Sequence, residues 1–188
     1  MIIVFLGTLL TACTDGAPSG DPANMTDASE QEKLAELGKR PDIDAMLDRY
    51  ERLRTEIRAR LVDEVGLPEE WELPESAWES ENPCSAPYST LGEAVSVNMV
   101  TWVHDDPIPE NRWSQAQEVL TEVTAGHGFD QLQVVVDGPG DHLVRVYDSY
   151  GGGITLGTKK ATILSSGTGC HLVPAVTSGS TPAAPAGG

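Results

Sequence analysis

Hydrophobic residues recur at helical spacing over residues 42–65. They fall at Ile43, Met46, Leu47, Tyr50, Leu53, Ile57, Leu61 and Val65. This period of about 3.6 residues predicts a long amphipathic helix that ends at Gly66 and packs its apolar side into the core. A short helix is predicted before it, because Ser29 and Glu32 have capping-box spacing. A second long helix is predicted from Trp113.

Apolar and polar residues alternate elsewhere, which is typical of strands with one buried face. The stretches that predict strands are EAVSVNMVTWV, LQVVV, HLVRVY, GGGITL, KKATILSS and CHLV. In the first, Val95, Val97, Met99 and Val103 are expected to face one way. LQVVV and HLVRVY flank DGPGD, which predicts a hairpin with a glycine-rich turn. The predicted fold class is therefore α+β: an antiparallel sheet of about five strands with long amphipathic helices packed on one face.

The first ten residues are apolar and uncharged. A membrane-spanning helix needs about 20 such residues, whereas the core of a signal peptide needs roughly 7–15. The stretch Leu10-Thr11-Ala12-Cys13 that follows is similar to a bacterial lipobox. It predicts that Cys13 is acylated and becomes the first residue of the mature chain. Two acyl chains on that sulfur would give stable anchoring. The alternatives are an ordinary secretory signal with a chance cysteine, or a buried strand.

No Lys or Arg precedes the apolar stretch, so either the true start codon lies upstream or the signal is weak. Glycine, proline and serine are frequent after Cys13 and again at the carboxyl end of the chain. The sequence is therefore divided into a signal peptide (1–12), the lipidated cysteine with a flexible tether (13–28), one α+β domain (29–174) and a disordered tail (175–188).

The chain has 188 residues, with 12 basic and 29 acidic side chains and a net charge of −17. A surface this acidic repels a phosphate backbone, which argues against nucleic-acid binding. Eight of the carboxylates lie between Asp63 and Glu81 with no Lys or Arg among them. This acidic segment is interpreted as a solvated surface, and a cation site or a basic partner is the alternative.

Besides Cys13, the chain contains Cys84 and Cys170. Two distant cysteines in an exported domain most simply form a disulfide. Closing so long a loop stabilises a fold by roughly 4–5 kcal/mol in the chain-entropy account. A zinc site is the alternative, but there is no CxxC motif to support it.

Candidate chemistry is sparse. His104, Asp105 and Asp106 follow a predicted strand, and with His127, His142 or Asp141 they could hold a metal ion; ordinary polar residues of a surface loop are the simpler interpretation. GGGITLGTKK lacks the residue order of a phosphate loop, and Ser165-Ser166 lacks the context of a catalytic serine. The sequence therefore predicts no catalytic residue, no resident metal and no cofactor.

The chain combines the lipobox, the charged amphipathic helix, a Trp shortly before a cysteine-containing loop, the alternating strand followed by a helix, and the terminal ATILSSGTGCHL. In this combination it resembles the LppA-like lipoproteins of mycobacteria and related actinobacteria. The resemblance spans residues 29–173. It implies an α+β domain anchored to the cell envelope, and it brings no activity, cofactor or catalytic residue with it.

The functional expectation is a lipoprotein held on the extracytoplasmic face of the cell membrane by acylated Cys13. It is expected to act as a non-catalytic binding or accessory module, with an envelope protein or a small ligand on its sheet face. The alternative is a carrier of a small ligand or metal ion that uses the loop around His104–Asp106, and a hydrolase is a third class. An exposed apolar patch would favour protein binding, whereas a concave pocket with converging polar groups would favour a carrier.

Overall fold

A computed structural model describes residues 28–74 and 79–174. The predicted signal peptide, Cys13 and the predicted tail lie outside the described residues, as does all of the predicted tether except Ala28. Within the described residues, no helix is both long and apolar enough to cross a membrane.

In the described residues three α-helices form, at Glu30–Leu37 (α1), Ile43–Arg60 (α2) and Trp113–Ala125 (α3). The predicted capping box is present: the Ser29 hydroxyl accepts from the Glu32 N–H, and the Glu32 carboxylate accepts from the Ser29 N–H. The helix predicted over residues 42–65 is α-helical only as far as Arg60 and continues as a π-helical turn at Leu61–Val65. The π-helical turn ends at the predicted Gly66, whose φ of 78° is readily adopted only by glycine.

Eight strands form one sheet in the described residues, rather than about five. They are Ser80–Pro83 (β1), Ala94–Asn98 (β2), Trp102–His104 (β3), Phe129–Gly138 (β4), Asp141–Asp148 (β5), Gly153–Thr158 (β6), Thr162–Gly167 (β7) and His171–Leu172 (β8). The order across the sheet is β1-β2-β7-β6-β5-β4, while β3 pairs with β7 and β8 pairs with β2. Every pair is antiparallel, as predicted.

Two local features account for the additional strands. β1 has no alternating pattern and lies in the acidic segment, but it pairs with β2 from Ser80↔Asn98 to Pro83↔Val95. The predicted strand through residues 93–103 is interrupted after Asn98 and resumes at Trp102 as β3. Because of this interruption, Val103 does not join Val95, Val97 and Met99 in the buried core, contrary to expectation.

The core lies between α2, α3 and one face of the sheet. Its fully buried members include Leu53, Ile57 and Leu120 from the helices and Ile154, Leu156 and Leu164 from the strands. Burial alternates along β5, whose Val144 and Val146 are buried while Arg145 and Tyr147 are half-buried on the other face. The prediction of helices on one face therefore agrees with the structure, although of the two helices predicted to be long, α2 has 18 residues and α3 only 13.

A second, smaller core surrounds the disulfide. The structure contains the predicted Cys84–Cys170 bond, with the two Cα atoms 5.7 Å apart. The bond packs with Leu37 of α1, Tyr88 and Leu91. It joins the segment after β1 to the start of β8, two segments that are separated by 86 residues in the chain.

Candidate functional site

The outer strand β4 is the most unusual surface of the described residues. Four of its apolar side chains are exposed: Leu132 (41%), Val134 (54%), Val135 (50%) and Val136 (38%). The exposed large hydrophobic residues in the described part of the chain number six, so this strand carries most of them. Single exposed apolar residues are ordinary, but a run of them on one strand marks a surface that favours contact with another molecule. We call residues 132–136 the apolar edge.

Both sides of the strand contribute to the apolar edge. Leu132 pairs with Val146 and Val134 with Val144, so these two side chains lie on the face that the helices cover elsewhere. The register shifts between Val134 and Val136, and Val136 then pairs with Leu143. Such a bulge redirects the following side chains to the opposite face. The strand consequently presents apolar groups above and below its own plane.

The backbone of β4 is open on one side. Within the described residues β4 pairs only with β5, at the end of the sheet order. An edge strand offers a row of N–H and C=O groups to another extended chain. Proteins commonly protect such an edge with Lys, Pro or a covering element. β4 has neither Lys nor Pro, and its charged residues are Asp130 and Asp137.

The hairpin that carries the apolar edge is fastened at its tip. The ring of His142 stacks on Trp113 with centroids 4.8 Å apart. Its Nδ1 lies 3.0 Å from Asp137 Oδ1 and its Nε2 lies 3.1 Å from Glu110 Oε2. Glu110 also accepts the Gly140 N–H at 2.7 Å, and this hydrogen bond is the main reason that the pKa of Glu110 lies below its usual value. The start of α3 therefore holds the turn between β4 and β5.

The His104–Asp106 corner has a structural explanation. His104 is buried, and its Nδ1 accepts the Asp106 N–H at 2.9 Å. That hydrogen bond uses one of the two ring nitrogens that a metal ion could contact. The His104 ring also lies edge-on to Trp71.

The other predicted ligands are engaged elsewhere: His127 with Glu56, His142 with Asp137 and Glu110, and Asp141 with Lys159. Among the residues that the structure describes, no three His, Cys, Asp or Glu side chains form a group that could hold a metal ion. The structure therefore does not assemble the metal site that the sequence offered as an alternative.

The acidic segment is partly built into the fold. Glu72 forms a two-way backbone bridge with Val103, at 2.7 Å and 3.0 Å. Trp71 packs against the main core and so fixes this loop, whereas Trp78 lies outside the described residues. Within the described residues, the carboxylates of this segment form no group that could hold a metal ion, so nothing there supports the alternative of a cation site.

The sequence predicts β4 as a strand but not its exposure. VVV has consecutive apolar residues where HLVRVY alternates. A continuous apolar run is typical of a strand buried on both faces, yet here it occurs on an edge strand whose apolar side chains are exposed. The Trp113–His142 stack had no sequence signal, since the two residues lie on different elements.

An antiparallel sheet under amphipathic helices, closed by one disulfide, defines a small α+β domain. A family model described as "Lipoprotein confined to pathogenic Mycobacterium" matches residues 19–174. The chain belongs to this family, the LppA lipoproteins, and the predicted resemblance is thereby confirmed. No curated protein sequence matches the chain.

Two solved structures share the fold. The lipoprotein LppA of Mycobacterium tuberculosis superposes with a TM-score of 0.59 at 13% identity, over 77% of this chain and 87% of that one. A DUF4853 family protein of Actinomyces odontolyticus superposes with a TM-score of 0.51 at 15% identity, over 74% and 80% of the two chains. At these identities the similarity concerns the fold alone. Membership of the family makes the chain a membrane-associated lipoprotein.

Proposed function

We propose that this lipoprotein is a non-catalytic binding module on the extracytoplasmic face of the cell membrane, and that β4 pairs with an extended segment of another envelope protein. The observation that carries the proposal is the apolar edge, in which Leu132, Val134, Val135 and Val136 are exposed on a strand with one open side. Adding a strand to an open sheet edge is a common mode of peptide recognition: backbone hydrogen bonds supply affinity and alternate side chains supply specificity.

The engagement of the histidines supports a non-catalytic role. Each contacts a protein group: His104 with Asp106, His127 with Glu56, His142 with Asp137 and Glu110, and His171 with Pro41. Histidine is the side chain whose ordinary pKa best suits acid–base catalysis near neutral pH. In this domain the four rings serve turns, ion pairs and packing.

Charge indicates the chemistry of the partner. β4 contains two exposed carboxylates, Asp130 and Asp137, and the chain as a whole has a net charge of −17. Complementary charge speeds association and disfavours the wrong partner. The partner segment is therefore extended, apolar at alternate positions and flanked by Lys or Arg. A second copy would bring the same acidic surface to the edge and is disfavoured by like-charge repulsion.

The disulfide supports the proposed location. Disulfides persist in oxidising compartments and are rare where thioredoxin and glutathione keep thiols reduced. The Cys84–Cys170 bond is consistent with a domain outside the cytoplasm. Acylated Cys13 would then hold the domain at the membrane through the predicted tether, at residues 13–28, within reach of other envelope proteins.

The proposal can be tested by site-specific photo-crosslinking of the full chain in its native membranes. A benzophenone amino acid replaces Val135 at the apolar edge, and in a matched control it replaces Arg52, an exposed residue of α2. We expect a discrete crosslinked product from position 135 and none from position 52. In the chain that carries the benzophenone amino acid at position 135, the additional substitution Val134→Lys should abolish the product, since a charge on the edge blocks strand addition. Val134 is 54% exposed, so the substitution should leave folding intact.

The identity of the crosslinked peptide shows which molecule binds the apolar edge. Mass spectrometry should find an extended apolar segment with basic flanks, and raising the salt concentration should reduce the yield because the charge attraction is screened. A product that pairs this chain with a second copy would contradict the proposed partner. Equal products from positions 135 and 52, or a product that survives Val134→Lys, would contradict the proposed surface.

A further inference from the structure

A cleft lies beside the disulfide, at the end of the sheet away from His104. Its volume is about 450 Å³, and its lining includes Arg40, Tyr88, Gln131, Ser149, Tyr150 and Cys170. Small-molecule sites in proteins typically measure about 300–1,000 Å³ and combine apolar walls with a few polar groups. The turn between β5 and β6 forms one wall, and the segment around the disulfide forms another. None of residues 132–136 lines this cleft, although Gln131 of β4 does and lies next to the apolar edge.

Arg40 supplies the positive charge of the cleft. Its Nη1 donates to the Cys170 carbonyl at 3.3 Å and its Nη2 donates to the Tyr88 hydroxyl at 2.7 Å. The guanidinium also lies 5.1 Å from the ring centroid of Tyr88 and 5.5 Å from that of Tyr150. These partners are neutral. Among the described residues, no carboxylate lies within ion-pair distance of Arg40, although four other basic side chains form ion pairs with Glu or Asp.

The carboxylate in the lining, Asp148, forms no ion pair with Arg40. Its Oδ1 accepts the N–H groups of Tyr150 and Gly152 at 2.8 and 2.9 Å. Its Oδ2 accepts the buried Tyr50 hydroxyl at 3.0 Å. Both oxygens are therefore directed toward the turn that follows β5 and toward α2, and the cationic group that lines the cleft is Arg40.

Arg40 is also held in place before any ligand arrives. The two hydrogen bonds and the two aromatic rings fix its side chain, so the side chain loses little further rotamer entropy when a ligand binds. A guanidinium has five N–H donors, and its planar fork matches a carboxylate. The structure shows two hydrogen bonds from the Arg40 side chain, so N–H donors remain for a ligand.

We propose that this cleft binds a small hydroxylated carboxylic acid. Its carboxylate pairs with Arg40, its carbon skeleton packs on Pro87 and the ring of Tyr150, and its hydroxyl groups meet the side chains of Gln131 and Ser149. Arg40 selects the ligand class, because it has no ion-pair partner among the described residues and its planar guanidinium matches a carboxylate.

The site can be tested by titrating the full chain in detergent with lactate, gluconate and the neutral analogue glycerol. Binding is monitored through the amide NMR chemical shifts. We expect saturable shifts at residues 149–151 and 168–170 for a carboxylate and none for glycerol. Arg40→Gln should weaken carboxylate binding by roughly tenfold or more, equivalent to about 1.4 kcal/mol. Arg112→Gln, an exposed arginine outside this cleft, should not change it.

A second variant keeps the test decisive if Arg40→Gln unfolds, because Arg40 also links the Tyr88 and Cys170 segments. Ser149 is exposed and none of the Arg40 contacts involves it, so Ser149→Trp should narrow the cleft without disturbing the fold. Loss of carboxylate binding in Ser149→Trp supports the site. The proposal is overturned if no carboxylate gives saturable shifts with the wild-type chain, if glycerol gives the same shifts, or if a folded Arg40→Gln or Ser149→Trp variant binds as tightly as wild type.

Discussion

The hydroxyl of Tyr50 donates a hydrogen bond to Asp148 Oδ2 across 3.0 Å, and both residues are buried. This contact joins the middle of α2 to the end of β5 through the core. Burial and the neighbouring carboxylate raise the pKa of Tyr50 far above its ordinary value, so the hydroxyl remains a donor at every physiological pH. Asp148 also accepts two backbone N–H groups of the following turn, which makes the pair a joint between helix, strand and turn.

Tyr50→Phe should destabilise the domain. The variant removes the buried donor and leaves Asp148 Oδ2 without that partner, and hydrogen bonds to charged groups are worth about 1.5–3 kcal/mol. Urea unfolding should report a loss of this size. Tyr147→Phe removes the exposed hydrogen bond to Gln133 and should cost much less. Equal losses in the two variants would mean that the Tyr50–Asp148 contact has no special role.

Gly152→Ala tests the packing of the turn after β5 against Tyr50. A Cβ at this position would meet the Tyr50 hydroxyl and Gly169 N, and it would lie 2.8 Å from the Gly167 carbonyl oxygen. Overpacking of this kind costs about 1–3 kcal/mol. Gly92→Ala is the matched control, since nothing lies within 4 Å of its added Cβ. Thermal unfolding should show a lower midpoint for Gly152→Ala alone, and a shared midpoint would contradict the close packing.

The sequence predicted the elements with strong local patterns. Helical spacing predicts α2 and α3, alternation with a glycine-rich turn predicts the β4–β5 hairpin, and alternation predicts β6 and β7. β1 was missed because Ser80–Pro83 has no alternation and forms through pairing with β2. The sequence predicts one strand that ends at Val103, where the structure has two, β2 and β3. The interruption after Asn98 leaves the apolar spacing almost intact and therefore has no sequence signal.

The candidate sites were harder to predict, because each depends on which side chains the packing of distant elements leaves exposed. VVV in β4 predicts burial, yet the helices leave this strand exposed at the sheet edge. Arg40 follows a short helix and has no motif around it. Its position in the cleft arises from the disulfide and from Tyr88 and Tyr150, which lie 48 or more residues away in the chain. Long-range arrangements of this kind have no local signal.

His171 should make stability depend on pH. Its ring is fully buried, its Nδ1 lies 2.8 Å from the Pro41 carbonyl oxygen, and burial is the main cause that lowers its pKa. The unfolded chain therefore binds a proton more readily than the folded one. The stabilising contribution is complete above the unfolded pKa of about 6.5, and it is lost as the pH falls from there toward the lower folded pKa.

Urea unfolding at about pH 7.5 and pH 5.5 measures this effect. The wild-type chain should lose more stability between the two values than His171→Asn, which cannot take up the proton but keeps a side-chain donor for Pro41. His127→Asn, at a half-buried histidine beside Glu56, should retain the wild-type difference. If His171→Asn shows the full wild-type difference, another group is responsible.

The disulfide should contribute substantially to stability. The joined cysteines are 86 residues apart, and closing a loop of that length stabilises the folded state by roughly 4–5 kcal/mol in the entropy account. The double variant Cys84→Ala/Cys170→Ala should lower the free energy of unfolding by up to that amount. A reductant should lower the stability of the wild-type chain and leave the double variant unchanged. Equal unfolding midpoints for the two oxidised proteins would contradict the prediction.

Cys13→Ala should release the protein from the membrane. The predicted lipobox assigns two acyl chains to this sulfur, and the substitution removes this predicted anchor. Membrane fractionation should find the wild-type chain with the membranes and Cys13→Ala in the soluble fraction or retained as an uncleaved precursor. Metabolic labelling with palmitate should mark the wild-type chain and not Cys13→Ala. Cys84→Ala/Cys170→Ala is the matched control, since it removes the other two cysteines and should still be labelled. Labelling that persists in Cys13→Ala would place the lipid elsewhere, and an unlabelled wild-type chain in the cytosol would remove the basis for an envelope role.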